Sequence, residues 1–328
     1  MSVLVSIDLS KAFDKINHIR LIQKIKLKFK FSNSACRLLL SYVCNRKQFV
    51  LYNGHESSQL DIVSGVPQGS VLGPLLFMLY INDIVGVLES NSCKPFIYAD
   101  DIQLLFSSDV QFPDVLQSVV NYNLSLIYSW ASENYLTINS QKTKCMLFTT
   151  VRSLENELNI QIHEQIQFVG KMKCLGVIID RQLNFDSHID ALSSKIGFTL
   201  RKLYSTNLYL PLNVKYKIGH ALLMSSITYC IEVFSGTLAY NIKRIELIVN
   251  KIVRFVYGVK RREHISAYVI KFLNCSFHNF LNIRILLSFY KLVKTNVPPY
   301  LYQKIIFSRS TRNKQIVILK ITSSFFER

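Results

Sequence analysis

Phe96-Ile97-Tyr98-Ala99-Asp100-Asp101-Ile102-Gln103-Leu104-Leu105-Phe106 sets two adjacent carboxylates at the tip of an otherwise apolar run. Apolar flanks around a short polar turn predict a hairpin buried in a sheet. Like charges side by side at such a tip repel each other and lose hydration unless a cation neutralises them. Aspartate oxygens are hard ligands, suited to Mg2+. Alone the pair is weak evidence, because an Asp-Asp turn is more often simply solvated.

A second acidic strand and a glycine-rich loop lie upstream. Ser2-Val3-Leu4-Val5-Ser6-Ile7 reads as a strand and delivers Asp8 at its carboxyl end, with Ser10 as N-cap of a helix expected over about 11–29. Asp8 brought beside the paired-aspartate hairpin would put three carboxylates around one small volume, the composition of a two-metal phosphoryl-transfer site. By itself Asp8 reads as an ordinary strand-end acid. Between the two acidic elements, Ser64-Gly65-Val66-Pro67-Gln68-Gly69-Ser70-Val71-Leu72-Gly73-Pro74 forces a tight loop ahead of a strongly apolar helix. Such a loop lets a flat ligand approach the backbone, and Gln68 can hydrogen-bond a sugar or base there.

In that order, Asp8 to Asp14, Gly65 to Phe77 and Tyr98 to Asp101 resemble motifs A, B and C of reverse transcriptases, in the wording of the non-LTR (LINE-type, jockey- or CR1-like) retrotransposon branch. Leu136 to Thr143 is similar to motif D, and Cys174 to Asp180 to motif E, the primer-grip hairpin. Ile227 to Ser235 and Ile245 to Arg254 are similar to the helical segment that follows the palm. Ordered motifs over roughly residues 1–258 are far more specific together than any one alone.

The resemblance implies an α+β fold. A polymerase palm, an antiparallel sheet with packed helices, would occupy 1–182, a mostly helical thumb-like region 183–299, and a basic tail 300–328. It implies an RNA-directed DNA polymerase that joins a dNTP to a primer 3′-hydroxyl by two-metal nucleotidyl transfer. Two Mg2+ ions are the expected cofactors, with Mn2+ as the alternative; an RNA template, a DNA primer and dNTPs are the expected partners. Asp8 and Asp100 would be the principal metal ligands, Asp101 a further acid, and the Leu9 carbonyl part of one cation's shell. Phe13 matches the steric gate against a ribose 2′-hydroxyl, although an aromatic at helical spacing is as readily core. Gln68 and Gly69 would lie against nucleotide and template. Lys142 matches the lysine that protonates the departing pyrophosphate; a phosphate-neutralising surface lysine is the plainer reading, and Lys144 lies nearby.

The competing expectation is an inactive retroelement remnant that only binds nucleic acid. It draws on the position of Asp8, eight residues from the start, where such polymerases carry a fingers region ahead of motif A. That region and an endonuclease portion are expected elsewhere in the same polyprotein. The sequence also holds no Cys/His cluster for a zinc knuckle.

Composition agrees with a nucleic-acid partner. Thirty-nine Lys and Arg against 21 Asp and Glu give a net charge of +18, which favours polyanions through counterion release. In Lys24-Ile25-Lys26-Leu27-Lys28-Phe29-Lys30, lysine alternates with apolar residues, as an edge strand or the end of a helix would have it. The histidines show no metal-ligand spacing. Seven scattered cysteines, with no C-x-x-C pair and no secretory signal, predict free thiols in a reducing intracellular compartment, nuclear or cytoplasmic. The apolar stretch 218–240 contains His220 and Glu232, and 70–88 contains Asn82 and Asp83, so no transmembrane helix is expected. Further helices are expected at 32–44, 114–134, 187–205, 211–235, 240–257 and 264–295. Further strands are expected at 47–53, 57–63, 136–138, 144–150, 158–169 and 173–180.

Overall fold

The computed structural model describes residues 1–88, 93–151, 158–162, 164–205, 210–309 and 315–318. The chain divides into two compact units, Met1–Gly170 and Lys171–Glu327. Along the first come β1 (Ser2–Ile7), the short strands β2 (Arg46–Gln48), β3 (Leu51–Tyr52), β4 (His55–Glu56) and β5 (Leu60–Ile62), then β6 (Lys94–Tyr98), β7 (Asp101–Ser107), β8 (Lys144–Phe148) and the short β9 (Gln161–Ile162), β10 (Glu164–Gln165) and β11 (Gln167–Phe168). One sheet has the order β11-β8-β1-β7-β6 and is antiparallel except for the β11–β8 pair. Strand β1 is central because Val3, Leu4, Val5 and Ile7 are all buried, and a near-continuous apolar run needs cover on both faces.

Helices α1 (His18–Leu27), α2 (Asn33–Val43), α3 (Gly73–Ile81) and α4 (Pro113–Glu133) share the core of this sheet. Along α4 the buried residues Leu116, Val120, Leu124, Ile127 and Trp130 form the stripe that the spacing predicts. Each fully buried Leu, Ile or Phe contributes about 1.5–3 kcal/mol.

Residues 11–29 are not one helix. Lys11 adopts a left-handed conformation (φ 49°), Ala12–Lys15 forms a single 3-10 turn, and α1 starts afresh at His18. Its cap is Asn17, whose Oδ1 accepts from the Arg20 N–H at 2.9 Å; Ser10 is not a cap, and its N–H donates to the Thr137 carbonyl at 2.8 Å. The break has a physical cause in the glycine loop. The Phe13 carbonyl accepts from the Val66 N–H at 3.0 Å and the Ile16 carbonyl from the Gly65 N–H at 2.8 Å, so acceptors that a continuous helix would use internally are taken. The lysine-rich run 24–30 covers the last turn of α1 and the residues just beyond it. The strands expected at 47–53 and 57–63 are divided into the pairs β2–β5 and β3–β4. Residues 136–138 contribute only the bridge between Leu9 and Ile138.

The second unit opens with a hairpin, β12 (Lys171–Cys174) and β13 (Val177–Asp180), which holds the motif E segment. The α-helices are α5 (Asp186–Ser205), α6 (Leu212–Ile218), α7 (Ser225–Thr228), α8 (Ile231–Phe234), α9 (Ala239–Tyr257), α10 (Ser266–Leu273), α11 (Phe277–Thr295) and the short α12 (Pro299–Tyr302). Ile189, Leu192 and Ile196 of α5 share a core with Ile245, Ile248, Val249 and Ile252 of α9. The Asp180 carboxylate accepts from the N–H groups of Asn184 (3.0 Å) and Phe185 (2.7 Å), tying the hairpin to the start of α5. The helix expected over 211–235 is interrupted by a π-helical turn at Gly219–Met224 and a left-handed Cys230. Gly219 lets α9 come close there, since a Cβ would lie 2.8 Å from Val256 Cγ2. Of the tail expected at 300–328, residues 310–314 and 319–328 lie outside the described residues. Among the described residues no helix is long and apolar enough to cross a membrane.

Candidate active site

The acidic cluster is assembled by strand register. β1 and β7 pair as far as Ile7 opposite Ile102, and Asp8 and Asp101 are the next residue of each strand beyond that last pair. β6 and β7 pair as far as Tyr98 opposite Asp101, which leaves Ala99 and Asp100 as a two-residue turn. Ala99 holds a positive φ of 51°, a conformation that costs a residue with a Cβ and is found where the surroundings impose it. Burial first, then the neighbouring Asp100 and Asp8 carboxylates, push the Asp101 carboxyl above the usual carboxylate range. Asp8, from the start of the chain, is thus near enough to Asp101 to disfavour its ionised form.

Lys142 reaches this cluster from a third element. Its Nζ lies 3.9 Å from Asp8 Oδ2, an exposed pair that is screened by water and worth little to stability. The turn that carries it is clipped to Asp8 itself. The Asn139 N–H donates to the Asp8 carbonyl at 2.8 Å, and Thr143 Oγ1 accepts from the Asp8 N–H at 3.4 Å while donating to the Asn139 carbonyl at 2.8 Å. Asn139 Oδ1 accepts from the Lys142 N–H at 3.2 Å. Thr143 is buried, and neither it nor Asn139 was singled out from sequence; the only signal was Asn139 preceding a turn, a habit of asparagine.

A cavity of about 280 Å³ is lined by Asp8, Leu9, Ser10, Lys11, Ala12, Phe13, Asp14, Gln68, Asp100 and Lys142. It thus gathers Asp8, Asp100, Lys142, Leu9, Phe13 and Gln68 from the residues expected at the site; Asp101 and Gly69 do not line it. The Phe13 ring is half-buried and stacks on Phe77, centroids 4.3 Å apart, so it is at once a cavity wall and part of the core. Gly69 is exposed at φ +77° with open space beside it. Gly65, at φ +90°, is required by close approach: a Cβ there would lie 2.9 Å from the Asp14 backbone.

Among the described residues no three Asp, Glu, His or Cys side chains are already gathered as a metal cage. The donor set itself, Asp8, Asp100 and Asp101, is all oxygen and negatively charged, and fits a hard divalent ion.

The profile of the family described as reverse transcriptase (RNA-dependent DNA polymerase) matches residues 2–179, which hold the whole acidic cluster. The chain belongs to the reverse transcriptase family. Members of this family use divalent metal ions. A probable RNA-directed DNA polymerase from transposon X-element of Drosophila melanogaster is 29% identical over 257 residues, 77% of this chain and 28% of that protein. The RNA-directed DNA polymerase from mobile element jockey of Drosophila funebris is 30% identical over 263 residues, again 77% of this chain and 28% of that protein. Both relatives are polymerases of mobile elements, and the chain spans just over a quarter of their length. Among solved structures, telomerase from Candida albicans in complex with a fragment of telomeric RNA aligns with a TM-score of 0.45 at 14% identity, over 90% of this chain and 46% of that one.

Proposed function

We propose that this chain is the nucleotidyl-transferring part of a non-LTR retrotransposon RNA-directed DNA polymerase, acting inside the cell on an RNA template, a DNA primer and dNTPs. The observation that carries this reading is the cavity that gathers Asp8, Asp100, Phe13, Gln68 and Lys142, with Asp101 next to Asp100 at the β6–β7 turn. Two Mg2+ ions held by Asp8, Asp100 and Asp101, with the Leu9 carbonyl, would acidify the primer 3′-hydroxyl and neutralise charge on the α-phosphate and leaving pyrophosphate.

The remaining roles belong to side chains. Phe13 blocks the place of a ribose 2′-hydroxyl, its ring held upright by Phe77. Gln68 and Gly69 lie against the nucleotide and template. Lys142 reaches the acids from the turn clipped to Asp8 and donates a proton to the pyrophosphate. The net charge of +18 supplies sequence-independent attraction to the nucleic-acid backbone.

Primer extension on an RNA template, wild type against Asp100→Asn, tests the reading. Extension by the wild type that is lost in Asp100→Asn supports it. If the wild type binds RNA in a salt-sensitive way but extends nothing, the chain is a nucleic-acid-binding remnant instead.

A further inference from the structure

Cys44 and His18 form a thiol–imidazole pair in the first unit, and the proposed chemistry gives it no task. His18 opens α1 and is buried; Cys44 follows the last residue of α2 and is half-buried. His18 Nε2 lies 2.7 Å from the Gly65 carbonyl, and Nδ1 lies 3.6 Å from Cys44 Sγ. A carbonyl only accepts, so Nε2 carries the ring proton and donates to Gly65. Nδ1 of the neutral ring is then a bare acceptor, to which the Cys44 S–H donates. A nucleophile, a base and a third group that fixes the base are thus joined, the arrangement that activates a thiol. Other thiols are held differently. Cys36 and Cys275 donate to carbonyls, of Phe31 at 3.9 Å and Leu273 at 3.6 Å, which take no proton. Cys93 and Cys145 are buried, and burial pushes both thiols up to about 12.

We propose that Cys44 is an oxidation site for hydrogen peroxide, with His18 as the base that takes its proton. The S–H proton passes to Nδ1, and the sulfur forms an S–O bond to one peroxide oxygen as the O–O bond breaks. The departing hydroxide takes the proton back from His18 and leaves as water. Sulfur is oxidised by two electrons, peroxide is reduced by two, and the product is a sulfenic acid that thiols can reduce again. His18 decides the outcome because Cys44 ends a helix, where the dipole opposes a negative sulfur; an imidazolium beside it makes the anion tenable. The ring that takes the proton is also the ring that holds the Gly65 carbonyl, so the thiol and the glycine loop share one side chain.

The test adds hydrogen peroxide to the full chain, traps sulfenic acid with dimedone and locates the adducts by peptide mass spectrometry. Cys44 is expected to be trapped about tenfold faster than Cys275, which is also half-buried but has a carbonyl for partner. His18→Gln keeps a side-chain N–H for the Gly65 carbonyl and removes the base. It is expected to slow trapping at Cys44 about tenfold and to leave Cys275 unchanged. A variant that fails to fold would betray itself by trapping at Cys93 and Cys145, and the wild-type comparison then decides alone. Cys44 no faster than Cys275 in the wild type, or an unchanged Cys44 rate in folded His18→Gln, would overturn the proposal.

A second readout involves no oxidant. In the full chain labelled with 15N at histidine, the His18 ring, assigned by its absence in His18→Gln, should show the tautomer with its proton on Nε2. Cys44→Ala should shift the Nδ1 resonance, because the S–H donor is gone. A neutral ring with its proton on Nδ1, or an Nδ1 resonance indifferent to Cys44→Ala, also overturns the proposal. Neither readout requires primer extension, so failure of the polymerase reading leaves this pair untouched, and the reverse.

Discussion

Replacing Asp83 by asparagine keeps the shape of the side chain and removes the one carboxylate in a buried polar cluster of the first unit. Asp83 Oδ1 accepts from Lys24 Nζ at 2.8 Å and Trp130 Nε1 at 3.1 Å, and Oδ2 accepts from Lys28 Nζ at 2.7 Å. The Lys24 side chain is 4% exposed, donates also to the Tyr80 carbonyl at 2.6 Å, and lies over the rings of Tyr80 and Trp130. Burial pulls Lys24 below the usual lysine range even though Asp83 opposes it. Burial pushes Asp83 up, but the hydrogen bonds from Lys24, Lys28 and Trp130 outweigh it and hold the carboxyl below its usual range.

An uncompensated buried ammonium costs about 3–5 kcal/mol. The two ring faces return about 1–2 kcal/mol of that, so Asp83→Asn should destabilise the first unit by about 2–3 kcal/mol. For a unit of this size the melting temperature should fall by about 5–10 °C. Lys24→Met should cost only about 1 kcal/mol, because it removes the buried charge itself and leaves Asp83 with Lys28 and Trp130. The double variant should recover most of the asparagine loss. The assay is urea unfolding followed by tryptophan fluorescence, because Trp130 is the single tryptophan and reports this cluster. The depressed Asp83 carboxyl contributes stability above the unfolded carboxylate pKa and loses it as pH falls through the folded value, so Asp83→Asn should also flatten the acid arm of the stability profile. A cost below about 1 kcal/mol for Asp83→Asn, or a larger cost for Lys24→Met, would refute the reasoning.

Three further outcomes follow from the site. Asp101, raised by burial and by Asp100 and Asp8, binds its proton more tightly folded than unfolded, so its contribution to stability is present at acid pH and lost as pH rises through the folded pKa. Asp100→Asn should move the Asp101 titration downward in carboxyl 13C NMR, and an unmoved midpoint counts against the shared cluster. Phe13→Ala should lower selectivity for dNTPs over ribonucleotides by about tenfold or more in primer extension. Loss of its packing on Phe77 should also cost about 2 kcal/mol; unchanged sugar selectivity would remove the gate role. Gly69→Ala should cost about 1–2 kcal/mol, the strain of a left-handed alanine, whereas Gly65→Ala must also displace the Asp14 backbone and should cost more in the same urea assay. Equal costs would mean that the loop and turn are not in close contact.

Both acidic elements could be read from sequence because alternation and turn chemistry are local: the β6–β7 hairpin around Asp100 and the strand ahead of Asp8 are where their patterns put them. The helix over 11–29 could not be read correctly. Its residues have helical propensity, but the glycine loop takes the carbonyls of Phe13 and Ile16. Lys24 looked like one of several surface lysines, and no local pattern distinguishes it from Lys26 or Lys28; its burial depends on Asp83, which follows α3. Asp14 had a place in the motif but no partner until Gln68 came beside it.

Composition, strand and helix periodicity and the ordered motifs were enough, without coordinates, to establish the α+β character, the family and the side chains worth naming. Only the tertiary structure decided which of those side chains come together: Asp8 and Asp100 in one cavity, Lys142 clipped to Asp8 through Asn139 and Thr143, and Gln68 turned toward Asp14. The division has a physical reason. Propensity and alternation act over a few neighbouring residues, whereas each of these encounters is set by register and hydrogen bonds between segments dozens of positions apart.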